Sequence, residues 1–292
     1  MKNFRLLIWS SIVVAITCVI ATTIIVEKLN DYRGHKEEVS TILNIENRLI
    51  KNHDELNPFS DAGEKKVKQA NLIEKDANRI YREATFYGLG LISLVVFYLV
   101  LNFYFYLNSL LKYRSIGISF VIASLCFIYL GLQTPFLEIE ALNTDLTFSI
   151  DLAIFKHNLI FEGDMYYLYQ NKSIFQVIKL LFTGGNIVVG ITLILFSIIF
   201  PLFKLLTSLF VLIYPDARRS ELLVSIVNKL GKWSMADVFV AAVFLALFAY
   251  TNMNVGVNTN ATTLMGLYYF LVFVVLSIFS GYFLKQAVSF KQ

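Results

Sequence analysis

The chain has 292 residues, of which 57% are hydrophobic and 16% charged, with a formal net charge of +4. A mean hydropathy of +0.64 excludes a water-facing globule, because so few charges cannot cover that much apolar surface. The class that remains is an all-α polytopic membrane protein.

A spanning helix needs about 20 apolar residues. Six stretches qualify: about 6–26, 86–111, 117–135, 183–213, 233–251 and 264–284. Lys2 and Arg5 precede the first, as in a secretory signal, but the apolar run is long and no A-x-A site follows it. It reads as a retained signal anchor. Cys18 and Cys126 fall inside apolar runs without a C-x-x-C pair, so the pattern points to no zinc site, redox motif or disulfide framework.

Between the first two spans, residues 27–85 are rich in Glu, Lys, Leu, Ile and Asn and break at "NPFSDAG" (57–63). Pro58 and Gly63 are turn punctuation. The expectation is a helical hairpin, 28–56 against 61–85, each arm projecting about 40 Å at 1.5 Å per residue. After the third span, Leu146, Phe148, Ile150, Leu152 and Ile154 alternate with Thr147, Ser149, Asp151 and Ala153, which is strand periodicity. "EGD" (162–164) reads as the turn of a small β-hairpin or sheet within about 144–175. "PDARRSELLVSIVNKLGKW" (215–233) places Leu222, Leu223, Ile226, Val227 and Leu230 on one face, as in an interfacial amphipathic helix.

Lysine and arginine set the orientation. Lys2, Arg5, Lys112, Arg114, Arg218, Arg219, Lys229, Lys232, Lys285 and Lys291 fall on one side. The opposite side carries the uncharged 253–262 and the acidic 136–182. Six spans with both termini cytoplasmic fit this asymmetry, which makes the hairpin and the β-element extracytoplasmic.

Two charges lie inside spans. "GKWSMADVFV" (231–240) carries Asp237 into the fifth span, and "SIIFPLFKLLTS" (197–208) carries Lys204 in the fourth. Ionisable groups in hydrocarbon are costly and are functional candidates by default. Ser197, Pro201, Lys204 and Ser208 are spaced four, three and four apart and share one stripe. Pro201 cannot donate its helical hydrogen bond and can kink the span. The fourth and fifth spans run antiparallel, which places Lys204 and Asp237 at similar depth near the inner end. An ion pair or a shared polar cavity is expected there, with Ser234 as a further hydrogen-bonding group. Gly184, Gly185, Gly190 and the Ser277/Gly281 pair read as close-packing sites.

"FSIIFPLFKLL" (196–206) followed by "LGKWSMADVFV" (230–240) resembles the paraquat-inducible protein A family of bacterial inner-membrane proteins. The matching positions are Pro201, Lys204, Trp233, Ser234, Met235, Asp237, Val238 and Phe239. The resemblance spans about 117–290, one four-helix unit with its outer β-element, and leaves 1–116, two spans and the hairpin, outside it. It implies a bacterial inner-membrane protein that handles phospholipid, with a periplasmic MCE-domain tunnel protein as partner. Longer members have two units and cysteine-rich ribbons, and many carry another Lys where this chain reads "ALFAY" (246–250).

On this reading a lipid-accessible cavity lies between the third to sixth spans, with Lys204, Asp237, Ser234, Ser197 and Ser208 as substrate-binding or coupling residues. Pro201, Trp233, Met235, Val238 and Phe239 shape the motif. The alternative is a membrane sensor or assembly factor that docks a partner through the 27–85 hairpin. His35, His53 and His157 lie outside the spans, and no H-E-x-x-H, G-x-S-x-G or P-loop occurs, so neither an enzyme, a metal nor a cofactor is expected. The basic residues trace topology rather than a stripe, so no nucleic-acid partner is expected.

Overall fold

The computed structural model describes residues 2–49, 62–105, 109–152, 155–214, 223–225, 227, 242 and 258–289. Two long helices open the chain: α1 (Lys2–Ile42, 41 residues) and α3 (Ala62–Phe105, 44 residues), with a short α2 (Ile45–Leu49) between them. At 1.5 Å per residue these reach about 62 and 66 Å, twice the ~30 Å hydrocarbon slab, so each must project from it. After the apolar run that follows Arg5, charges resume at Glu27 in α1 and end at Glu83 in α3, which sets where the projection starts.

The arm differs from its expected form. Its first half breaks after Ile42 rather than running to 56, while α3 begins at Ala62 as the pattern predicts. The break has a local cause. The Asn44 side chain accepts from the Glu46 amide at 2.9 Å, and Asn44 forms a parallel bridge with Tyr166. Asparagine offers the backbone this alternative to helix, so the chain turns where it occurs. Val39, Leu43 and Ala70 then pack on Tyr166. The sparse apolar stripe of the arm thus closes on its own partner helix and on the sheet.

Helix α4 (Ser109–Gln133) leads into strands β1 (Leu137–Leu152) and β2 (Phe155–Lys172), an antiparallel hairpin much longer than the alternation predicts. Strand β3 (Asn258–Thr263) pairs antiparallel with Leu137–Leu142 of β1, giving the order β2-β1-β3. "EGD" is not the turn. Asp145 (φ 53°) and Gly163 (φ 82°) face each other at a register shift, and the Gly163 amide donates to Asp145 Oδ1 at 2.9 Å. The segment is a bulge that brings Gly163 against Val67 of α3, where a β-carbon would sit 3.1 Å away. Charge-free 258–263 reads as loop by topology alone. Its threonines favour a strand, and the open edge of β1 supplies the pairing.

Beyond the sheet come α5 (Ile174–Thr183), α6 (Ile187–Ile194), a π-helical turn (Leu195–Ile199), α7 (Phe200–Ile213) and α8 (Met265–Ser289). Helix α5 was not expected. Its start is a capping box, with Ser173 Oγ accepting from the Gln176 amide and Gln176 Oε1 from the Ser173 amide, and S-x-x-Q before an apolar run is the signal for it. Ile174 and Ile178 are buried while Phe175, Leu180 and Phe182 are exposed, so α5 presents apolar side chains on both faces. Gly185 (φ 79°) turns the chain from α5 into α6 with nothing within 4 Å of a β-carbon there, whereas Gly184 lies close to the Leu180 carbonyl and Gly190 abuts the Phe182 ring.

Five described helices are long and apolar enough to cross a membrane: Ser11–Ile42, Gly63–Tyr104, Tyr113–Gln133, Ile187–Ile213 and Met265–Ser289. The expected fifth span, 233–251, lies outside the described residues except for 242, as does the interfacial helix of 215–233 except for 223–225 and 227. The protein is therefore a helical membrane protein with a small three-stranded sheet. The sheet and the arm share one end of the spans.

The core forms where α1, α3, α4, α7 and α8 meet, around Phe127, Leu130, Leu205, Phe270 and Phe273. Lipid competes equally for apolar side chains, so association inside a bilayer rests on close packing. Gly131 shows this: a β-carbon there would lie 2.9 Å from the Phe270 backbone. Cys18 and Cys126 are free thiols, Cys18 buried in this core and Cys126 half-buried against it.

Candidate functional site

Pro201 stands in the first turn of α7, where it has no N–H to donate to the carbonyl four residues back, at Ser197, and its ring would clash with that carbonyl. The chain resolves the clash by widening into the π-helical turn Leu195–Ile199. Ser197, Pro201, Lys204 and Ser208 are all buried on one face, and Ser208 Oγ donates to the Lys204 carbonyl at 2.8 Å.

Lys204 is 8% exposed. Its ammonium donates to Ser277 Oγ at 2.9 Å and to the Ser277 carbonyl at 3.2 Å, and Ser280 Oγ also donates to that carbonyl. An ammonium has three donors. Among the described residues, Ser277 satisfies two and no carboxylate pairs with Lys204. Asp237, Ser234, Trp233, Met235, Val238 and Phe239 lie outside the described residues.

Depth follows from the end of α7. The Arg114 guanidinium donates from Nε (3.0 Å) and Nη2 (2.8 Å) to the Leu212 carbonyl and from Nη2 to that of Ile213 (3.1 Å), satisfying carbonyls a helix end leaves open. Lys204 lies nine residues before Ile213, about 14 Å along the axis. That places it near half the depth of a ~30 Å slab, deeper than the inner-end position expected from the sequence.

Ser277 is the member of this site that the sequence hides. Its spacing to Gly281 suggests a packing motif, yet a β-carbon at Gly281 would meet nothing within 4 Å. Ser277 is instead a ligand of the lysine. The signal available was only a second buried polar position in an apolar span.

A second polar cluster joins the arm to the sheet. Glu138 is 5% exposed, and both carboxylate oxygens accept from tyrosines, Tyr32 at 2.8 Å and Tyr169 at 2.6 Å. Asn171 Nδ2 lies 3.3 Å from Tyr169 Oη, and Asn171 Oδ1 is buried without a partner among the described residues. Two residues along β1, hence on the same face, Glu140 shares Lys36 with Glu74, at 3.4 and 3.0 Å. Burial raises the Glu140 carboxyl above the usual range; Lys36 opposes this and Glu138 adds to it. Burial, then the Glu138 charge, likewise raises the Tyr169 phenol. "LEIEAL" (137–142) carries the signal in its alternating acids, but the strand pattern becomes regular only at Leu146.

Elsewhere, open cavities of about 830 and 340 Å³ lie along α3 and beside the arm's bend.

Residues 159–291 match the paraquat-inducible protein A family. That C-terminal region is similar to this family. The match starts within β2, so α4 and β1, expected inside the unit, fall before it. It takes in Lys204, Ser277 and the 230–240 stretch. No curated protein and no solved structure matches the chain.

Proposed function

We propose that this protein is an inner-membrane component of bacterial envelope lipid trafficking, with both termini cytoplasmic and the sheet and arm outside. It would hand phospholipid to or from a periplasmic MCE-type tunnel protein. It is read as a conduit rather than an enzyme. The observation that carries the reading is Lys204: a lysine at mid-depth in a membrane protein similar to this family, bonded by serine rather than carboxylate among the described residues. A mid-membrane ammonium with a third donor that the described residues leave unused suits a phosphate or a titrating carboxylate. Asp237, on the following span, is the proposed counter-charge or proton site, and Ser234, Ser197 and Ser208 are the proposed polar lining.

The arm's apolar positions pack on the chain's own sheet, which supports an integral brace over a free docking arm. The test uses Lys204→Ala, Asp237→Ala and the exchange Lys204→Asp/Asp237→Lys in the native host, with resistance to detergent as readout. Membrane level is checked for each. Loss of resistance at normal level in both singles and in the exchange supports separate chemical roles. Recovery of level and resistance in the exchange would show a structural pair and overturn the site.

A further inference from the structure

The cavity of about 830 Å³ follows a single stripe of α3 in which Lys75, Arg79 and Arg82 stand above Phe86 and Tyr87. We propose that this stripe binds a glycerophospholipid, its phosphate between Arg79 and Arg82 and its chain along Phe86. The ligand class rests on the lipid-handling reading above, while the site itself is separate from Lys204.

Depth is the first argument. The apolar run of α1 ends at Val26, and Lys28 pairs with Glu83 of α3 at 2.6 Å while lying over the Tyr87 ring at 5.6 Å. Both helices thus place the hydrocarbon boundary near Phe86. Arg82 and Arg79 lie four and seven residues above it, about 6 and 10 Å along the axis. The headgroup layer occupies about 5–7 Å on each side of the ~30 Å slab, so Arg82 stands at phosphate depth with Arg79 reaching down to it.

Availability is the second. Lys75 and Arg82 pair with no described residue, and Arg79 makes only a 3.7 Å contact with Glu83, which Lys28 already holds. Asp76 on the same stripe suits the ammonium of a zwitterionic headgroup. Phe86 is 76% exposed, and Leu89, Val96, Phe97 and Val100 continue an exposed apolar track down the span. Arginines this close to a span are also disfavoured on the outer side, where 253–262 carries no charge.

The full-length chain is purified in detergent and titrated with phosphatidylglycerol and phosphatidylethanolamine of defined chain length. Bound lipid is counted by native mass spectrometry. Arg79→Gln/Arg82→Gln is expected to bind at least about tenfold less, the scale of one charge-assisted contact. Lys65→Gln/Lys68→Gln, farther out on α3, stays within about twofold of wild type, and Arg79→Lys/Arg82→Lys recovers part of the loss. Phe86→Glu puts a carboxylate in the groove without breaking an internal bond and gives the same loss. Undiminished binding in both Arg79→Gln/Arg82→Gln and Phe86→Glu overturns the site. Displacement of the lipid by millimolar inorganic phosphate overturns its assignment to lipid. A groove that binds no lipid while Lys204→Ala loses detergent resistance overturns this inference alone. A groove that binds lipid while Lys204→Ala keeps full resistance overturns the transport site alone.

Discussion

Glu138 is a buried carboxylate whose two oxygens are each held by one tyrosine hydroxyl, and those hydroxyls come from α1 and β2. Tyr32→Phe removes a 2.8 Å hydrogen bond and leaves one oxygen dry, while the ring keeps its place 4.9 Å from Tyr81. A hydrogen bond to a charged group contributes about 1.5–3 kcal/mol, and the buried orphan makes its loss felt in full. The arm should therefore open locally about ten- to a hundredfold more often, at ~1.4 kcal/mol per factor of ten. Hydrogen exchange in detergent, followed on residues 29–43 and 66–80, reads this directly. Tyr169→Phe should act in the same direction. The double variant should cost less than the sum, because the two bonds share one carboxylate. Tyr87→Phe, at an exposed ring, should change nothing. Arm exchange within twofold of wild type in both single variants would refute the idea that Glu138 fastens arm to sheet.

The raised Glu140 carboxyl binds its proton more tightly folded than unfolded. Its contribution is fully present below the ordinary carboxylate value near pH 4 and is lost as pH rises through the raised one. Thermal denaturation of Glu140→Gln across pH should thus show a flatter profile over that window than wild type. Gly266→Ala would place a β-carbon 2.4 Å from the Pro135 carbonyl and 2.7 Å from that of Thr134; it should cost at least about 1–3 kcal/mol and lower the unfolding midpoint, whereas Gly281→Ala should not. Lys204→Met should keep or raise stability while losing detergent resistance, since replacing a buried charge by an apolar group of similar length is often neutral or favourable. Ser277→Ala, which takes an acceptor from a retained ammonium, should destabilise by about 1–3 kcal/mol, and the reverse ranking would mark Lys204 as a structural bolt.

The helices were legible because a bilayer imposes a length and a composition on each span, so α1, α3, α4, α7 and α8 announce themselves. So was the buried stripe of Ser197, Pro201, Lys204 and Ser208, since helical spacing alone assigns them to one face. The sheet was only half legible. Leu146 to Ile154 alternate cleanly, but Leu137–Leu142 is paired on both edges and carries acids where a solvated face is expected, and β3 is a strand only because β1 offers it an edge. Gly163 looks like a turn residue because a bulge and a turn both call for positive φ. Ser277 escaped because what it does depends on how α8 is rotated against α7, and spacing along one helix does not specify that rotation.

The two polar sites share a rigid connection. Glu138 and Glu140 on β1 stand in register with Thr262 and Asn260 on β3, and one residue after β3 the chain enters α8. The Gly266 amide donates to the Pro135 carbonyl at 2.9 Å, and the Leu264 amide to that of Phe136 at 3.2 Å, so the start of α8 is fixed to the start of β1. Ser277 lies twelve residues into α8, a little over three turns, about 18 Å along its axis. A helix bends little over three turns, so a tilt of the sheet is carried down to the lysine's acceptors. The arm, gripping that sheet through Tyr32 and Lys36, therefore fixes the frame in which Ser277 meets Lys204.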